Sequence, residues 1–316
     1  MKYAENFGFK SAKVLLGTGG FGTGTSQSES FELMDKYVYL GGNHFDTARI
    51  YGMGKSEEVI GEWLKNKSRS EYIISTKGAH PELETMHVSR LSEAEVRSDL
   101  EASLKALQTD YVDIYWLHRD DEKIPAGQIV EMLNQFVKEG KVRKIGCSNW
   151  TVKRIEEANS YAAAHSLQGF VASQIRFSPA FTVESYIGDD TLVEMNAVEY
   201  DYYMRSGMPV VAYEALAKGF FSKYLSTAGR DSIRKDILER YDSEENREKI
   251  KIMAEICKKY GISPASAVCA THISNSEVDT YPIIGSHTVE QLEDILSGAD
   301  AQITESEVKK LILFKR

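Results

Sequence analysis

The sequence predicts a closed barrel of eight parallel strands with helices outside, a (β/α)8 fold, preceded by a short β-hairpin. Three observations lead there. Short β-branched and aromatic runs alternate with helical stretches along the whole chain, and eight of the runs are each followed by a helix. Regular alternation builds a parallel sheet, and eight units in roughly 300 residues suit a closed barrel. No low-complexity linker, repeat or composition break divides the 316 residues, so residues 1–316 read as one domain with its active site at the C-terminal ends of the strands. A doubly wound open sheet is the alternative.

The elements follow in order. "NFGFKSAKVLL" reads as two short strands around a turn, and "LLGTG" as the first barrel strand. A helix near 28–40 places Phe31, Met34 and Val38 at helical spacing. Then come "NHFDTA", a helix near 56–66, and "YIISTKG". A helix near 93–107 opens on Ser92-x-x-Glu95, a capping box. "YVDIYWLH", a helix near 127–139, "VRKIGCSN" and a helix near 151–165 follow. "GFVASQIRFS", a helix near 191–206 and "PVVAYEAL" come next. A long polar stretch, helices near 245–260 and 264–274, "TYPIIGS" and a helix near 288–297 complete the chain.

Bulk properties exclude some classes. With 38 basic and 47 acidic residues, 38 − 47 = −9, the chain is no candidate for nucleic acid or an anionic membrane surface. No apolar run reaches the ~18 residues of a membrane span, and "MKYAENFGFK" has no signal-peptide core. Cys147, Cys257 and Cys269 are odd in number and form no CxxC, which points to a reduced, cytoplasmic setting. A homo-oligomer is compatible with all of this.

Gly17-x-Gly19-Gly20-x-Gly22 spells the glycine pattern of a dinucleotide-binding turn. That turn needs a helix starting at once, so that its N-terminus meets the pyrophosphate. Here Thr23-Gly24-Thr25-Ser26-Gln27 intervenes, with little helix propensity. A glycine-rich strand-to-loop turn is the competing reading.

In a barrel, function sits at the C-terminal strand ends. At period 2, His44-x-Asp46 ends the second strand, Ser75-x-Lys77 the third and Trp116-x-His118 the fourth, with Tyr51 shortly after Asp46. Singly, each has an ordinary role open to it: a turn former, a packed phenol, a solvated amine, a core histidine. Together they gather an acid, a phenol, an amine and an imidazole at one face, where unpaired charge is costly. His44 and Asp46 on one strand face also raise a metal-dependent hydrolase. That reading needs further inward ligands, of which only His118 qualifies, and Lys77 adds a competing positive charge; no metal site is expected.

"HFDTARIYG" (44–52), "ISTKG" (74–78) and "YWLHRDD" (115–121) resemble the aldo-keto reductase family. The resemblance continues in order through "GKVRKIGCSNW", "VASQIRFS", "VVAYEALAKGF" and "PIIGSHTVEQLEDIL", nearly the whole chain. It implies a barrel that binds a nicotinamide dinucleotide across its mouth without a Rossmann domain. The glycine stretch is then the end of strand one, with Thr18, Gly19 and Gly20 near the nicotinamide. The implied roles are Tyr51 as general acid/base, Lys77 and Asp46 as the pair that tunes it, and His118 as orienter of the substrate carbonyl. The chemistry is self-consistent: a tyrosine, with an unperturbed pKa of about 10, is a reluctant acid that a nearby ammonium improves.

On the cofactor side, Ser148, Asn149 and Gln174 end strands five and six and are expected to hold the carboxamide. Tyr213 matches the aromatic that stacks on the nicotinamide. Leu216, Lys218 and Gly219 match the loop passing the pyrophosphate, and Gly285 a close approach to phosphate. Gln291 and Asp294 match residues near the adenosine. NADP(H) is the first expectation and NAD(H) the alternative, because the position that often carries Arg or Lys is His287, a weaker grip on a 2′-phosphate. Ile295 replaces an adenine-contacting Asn, and Glu214 stands where a serine is usual, its charge unfavourable beside a pyrophosphate unless it turns away. The substrate is expected to be a small carbonyl compound, its pocket lined by Phe21, Ile50, Trp116, Trp150 and Phe177, with Arg119 and Arg176 at the rim. Some relatives act as partners of membrane channels, so a cofactor-binding regulatory subunit is a second reading.

Overall fold

The computed structural model describes residues 1–312. A two-stranded antiparallel hairpin, β1 (Tyr3–Ala4) and β2 (Ser11–Ala12), precedes the barrel. It pairs slightly earlier in the chain than the sequence pattern implies. The barrel strands are β3 (Leu15–Gly17), β4 (His44–Asp46), β5 (Ile73–Gly78), β6 (Val112–Leu117), β7 (Val142–Ser148), β8 (Ser173–Arg176), β9 (Val210–Tyr213) and β10 (Thr280–Ile284). Each pairs in parallel with its neighbours, and β10 closes onto β3 through Ile283 opposite Leu15. The closed barrel is therefore present and the open sheet is not.

The helices are α1 (Gln27–Tyr39), α2 (Lys55–Leu64), α3 (Glu93–Leu107), α4 (Ala126–Lys138), α5 (Val152–Ala164), α6 (Ala197–Ser206), α7 (Phe220–Tyr224), α8 (Lys235–Tyr241), α9 (Glu244–Tyr260), α10 (Pro264–Ile273), α11 (Val289–Ser297) and α12 (Glu305–Ile312). Ser92 caps α3 by accepting from the Glu95 amide. α6 starts six residues later than the 191–206 pattern suggests, because Asn196 caps it there. The residues before it are drawn to β8: the Arg176 amide donates to Val193 O, and the Met195 amide to Arg176 O. The polar stretch after β9 contains two short helices, α7 and α8, and α12 follows α11 near the end of the chain.

The core has two parts. A large apolar layer separates the sheet from the helices. A smaller one, built on Phe7, Leu15, Ile114, Trp116, Ala172, Val211 and Tyr281, fills the barrel interior. Phe7, from the hairpin, packs on Tyr281 at 4.5 Å between ring centroids and so closes the end opposite the strand C-termini.

The glycine stretch is a turn. A Cβ at Gly17 would come within 2.7 Å of Ile283 on β10, so the glycine is needed where the barrel closes. The chain then folds into a compact loop, with the Thr25 amide on Gly20 O and the Gly22 amide on Thr25 O. Only after it does Ser26, with Glu29, cap α1. No helix N-terminus meets the glycines, and the phosphate-loop reading fails.

Candidate active site

Parallel register brings the chemistry together. Asp46 ends β4 opposite Ser75 of β5, and Lys77 lies two residues further along β5, opposite Trp116 of β6. His118 follows β6 directly, its amide donating to Gly78 O. Tyr51 opens a 3-10 turn, Tyr51–Gly54, after a short loop from β4. Lys77 Nζ donates to Asp46 Oδ2 at 2.5 Å, to Thr47 O at 2.8 Å and to the Tyr51 hydroxyl at 3.5 Å. Asp46 Oδ1 accepts from Ser75 Oγ and Gln174 Nε2, each at 3.0 Å. The Tyr51 and His118 rings meet edge to face at 6.2 Å.

Burial makes this geometry electrostatically strong. It pulls the Lys77 ammonium toward neutrality, but Asp46 and Tyr51 more than offset it, and its pKa lies above the ordinary lysine value. His118 is held well below the ordinary histidine value, first by burial and then by Lys77, His80 and Arg119. It is a neutral imidazole at physiological pH. Its Nδ1 is buried without a hydrogen-bond partner among the described residues, so keeping its one proton on Nε2 strands no donor. Asp46 and His44 are fully engaged, the latter with Ser11 and Ser75, and neither is free to ligate a metal.

A cavity of about 920 Å³ opens over Tyr51 and His118 and runs to the N-terminal part of α11. That is the size of a cofactor pocket. Thr18, Gly19, Gly20, Ser148, Asn149 and Gln174 line one part of it, and Tyr213, Leu216, Lys218 and Gly219 another. Gly285, His287, Gln291 and Asp294 line the far end. Within the wall, Asn149 is well occupied: its Nδ2 donates to His118 O, and its Oδ1 accepts from Tyr213 and the Val193 amide. Glu214 does not turn away as a neighbour of pyrophosphate should. It is neutralised instead, by Arg176 at 3.2 Å, Arg240 at 3.0 Å and Lys218 at 3.6 Å. Arg176 and Arg240 also share Glu194, which ties the loop before α6 to β8 and α8. Asn149, Glu214 and Lys218 have left-handed backbones, with φ of 60°, 51° and 53°.

These residues fit a nicotinamide dinucleotide. Ser148 and Gln174 offer a hydroxyl and an amide near Tyr51, and three cations stand further along the wall: Lys223, with Lys218 paired to Glu214 and Arg234 paired to Asp236. Among the described residues, a Cβ at Gly285 would meet nothing within 4 Å, so they do not require a glycine there.

Four residues expected against the substrate are elsewhere. Trp116 points inward but one layer too deep, seated over Gly146, where a Cβ would strike its ring at 2.3 Å. Trp150 is fully buried on Phe170 and donates to Arg119 O at 3.3 Å. Phe177 packs on His272 at 4.9 Å, in the helix-facing core. Ile50 is half-buried and does not line the cavity; its neighbour Tyr51 takes that place. Phe21, Arg119 and Arg176 do line it, with Arg119 paired to Asp189 at 3.1 Å. Sequence reasoning missed Ser222, Lys223, Arg234 and Ser286. The first three follow β9 in the polar stretch, where no strand period marks which side chains face the cavity; Ser286 lies between Gly285 and His287, so its place in the chain points to the same wall.

The chain belongs to the aldo/keto reductase family, whose model matches residues 13–312. Among its relatives is an uncharacterized oxidoreductase, YrpG, of Bacillus subtilis (strain 168), 31% identical over 98% of this chain and 94% of that protein. An aryl-alcohol dehydrogenase of Pestalotiopsis microspora is 28% identical over 93% of this chain and 74% of that one. A versiconal hemiacetal acetate reductase of Aspergillus parasiticus is 26% identical over 98% and 96%. The crystal structure of a thermostable aldo-keto reductase in complex with the inhibitor epalrestat superposes with a TM-score of 0.73, at 25% identity and 98% coverage of both chains. Among the described residues, no helix is long and apolar enough to cross a membrane.

Proposed function

We propose that this protein reduces an aldehyde or ketone to the alcohol, using NADPH or NADH, with Tyr51 as the proton donor. The observation that carries the reading is the Tyr51 hydroxyl, 3.5 Å from a buried ammonium and beside a neutral imidazole, on a cavity of dinucleotide size. Bound there, a reduced nicotinamide would supply the hydride. Tyr51 gives its proton to the carbonyl oxygen. Lys77 stabilises the phenolate left behind, and Asp46 keeps Lys77 charged and aimed. His118, through Nε2–H, donates to the oxygen as charge develops there. Gln174 is shared between Asp46 and the cavity, so it couples the two.

The substrate side favours neutral carbonyl compounds, sugar-like or aromatic. Arg119 and Arg176 are both ion-paired, so an anionic substrate would have to compete with Asp189, Glu194 and Glu214. The names of the aryl-alcohol and hemiacetal acetate relatives agree with that preference. A panel of aromatic aldehydes, sugars and sugar acids, assayed with each cofactor, tests the reading. Absence of turnover with every aldehyde, alongside tight cofactor binding, would favour a regulatory subunit instead.

A further inference from the structure

Beneath the site, inside the barrel, a line of hydrogen bonds runs from the hairpin to Asp46. Ser11 Oγ lies 2.8 Å from His44 Nδ1, and His44 Nε2 lies 3.2 Å from Ser75 Oγ. Ser75 Oγ lies 3.0 Å from Asp46 Oδ1, whose partner oxygen takes Lys77. Ser11, His44 and Ser75 are all fully buried.

The proton order follows from the chemistry of the groups. Ser75 has two acceptors in reach, Asp46 Oδ1 and, further off at 3.3 Å, Phe45 O. A carboxylate is the stronger acceptor, so the Ser75 hydroxyl donates to Asp46. Its oxygen must then accept, and the donor is His44 Nε2–H. Burial, with Lys77 nearby, pushes the His44 imidazole down to about 3, so the ring holds one proton only. His44 Nδ1 is therefore a bare acceptor, filled by the Ser11 hydroxyl in preference to that group's other partner, Ala12 O. Phe7, edge-on at 5.9 Å, closes the ring off from below.

We propose that His44 and Ser75 are positioning residues for the Asp46–Lys77–Tyr51 unit, forming a one-way chain of donors that fixes Asp46 Oδ1 and spreads its negative charge. The proposal rests on the reductase reading above. Chains of hydrogen bonds polarise one another, so the effect at Asp46 exceeds that of one isolated hydroxyl. Among the described residues, Lys77 and His118 meet Tyr51 directly, with Asp46 behind Lys77 and with His80 and Arg119 behind His118. When Ser75 no longer draws charge from Oδ1, Asp46 cancels more of the Lys77 field at the Tyr51 hydroxyl. The phenolate is then less favoured.

The test is the pH profile of kcat for alcohol oxidation, in which Tyr51 must accept a proton, measured between about pH 6 and 10. Ser75→Ala is expected to move the low-pH limb upward by roughly half a unit or more, the scale of one hydrogen bond. His44→Phe, one link further away, should move it less and in the same direction. His44→Gln, which can donate to Ser75 and accept from Ser11, should restore the parent limb. Cofactor dissociation constants and melting curves report whether the fold and the dinucleotide site are intact. A long-range proton–nitrogen spectrum of histidine-labelled parent protein is the independent readout. It should show His44 with Nε2 protonated and Nδ1 bare at about pH 6, below the ordinary histidine value. Coincident limbs for Ser75→Ala and the parent, or a His44 protonated on Nδ1, would overturn the proposal. Should the parent neither reduce any aldehyde nor oxidise any alcohol, the reductase reading fails, while the spectrum still decides the direction of the chain.

Discussion

Lys77 and Asp46 face each other across neighbouring strands at 2.5 Å, with side chains only 1% and 2% exposed. A pair so buried is not held for stability alone, since desolvation cancels much of its attraction. Lys77 is the one member that also reaches Tyr51, which makes the pair a device for keeping an ammonium next to a phenol. Lys77→Met and Asp46→Asn should each lower kcat strongly, and the double substitution should cost much less than the sum. Each single change strands a buried charge, so melting curves must accompany the kinetics. Fully additive losses in kcat would mean that the two residues act apart.

Tyr51→Phe removes only the hydroxyl, and with it the transferred proton and the oxygen that accepts from Lys77. Folding and cofactor affinity should persist, while kcat for aldehyde reduction falls by roughly 10²–10⁴. Fluorescence quenching by cofactor and single-turnover rates check the two halves separately. Near-parental turnover would remove Tyr51 from its role.

On the proposed reading, cofactor choice depends on the far end of the cavity. His287 is exposed there, its amide donating to Gln291 Oε1 at 3.0 Å, and Arg234 and Lys223 line the same cavity. A guanidinium is permanently charged and bonds phosphate at two points. His287→Arg should tighten NADPH by roughly 1–2 kcal/mol and change NADH little. Dissociation constants for both cofactors test it. An unchanged NADPH/NADH ratio, together with its collapse in Arg234→Ala, would transfer the role to Arg234.

Acid stability should follow the buried histidines. Burial lowers both His44 and His272 to about 3 in the fold, against about 6.5 for a free histidine. Between those values the unfolded chain binds the extra protons. The stability these groups confer is therefore complete above about pH 6.5 and is lost as pH falls toward 3, by roughly 1.4 kcal/mol per pH unit for each. His272→Leu should flatten urea-derived stability against pH in that window. An unchanged slope would show that His272 makes no contribution to acid unfolding.

The parts of the site that were legible in the sequence were those on barrel strands. Alternation told which side chains of "HFD", "STK" and "WLH" face inward, and strand ends told where they gather. It did not tell depth: Trp116 and His118 share a face, yet one is core and the other lines the cavity. Past the strand ends the period vanishes, so Trp150 and Phe177 gave no sign that they fold back against Phe170 and His272. Lys223 and Arg234 reach the cavity from residues after β9 whose hydrophobic pattern says nothing of it. The late start of α6 had the same origin, because the residues before it are claimed by backbone bonds to Arg176, a partner distant in sequence.

The left-handed backbones of Asn149, Glu214 and Lys218 carry a further implication for anyone seeking a hardier variant. A non-glycine residue in that region costs of order 1 kcal/mol, and glycine there would relieve it. Yet each of these side chains lines the cavity and pairs with a neighbour: Asn149 with Tyr213, Glu214 with Arg176 and Arg240, Lys218 with Glu214. The easiest gains in thermal tolerance therefore coincide with groups that line the cavity. On the reductase reading proposed above, stabilisation and turnover would pull against each other at these three positions. Directed evolution for heat resistance would find its harmless solutions at Gln108 and Ser166, left-handed residues at the ends of outer helices, away from the cavity.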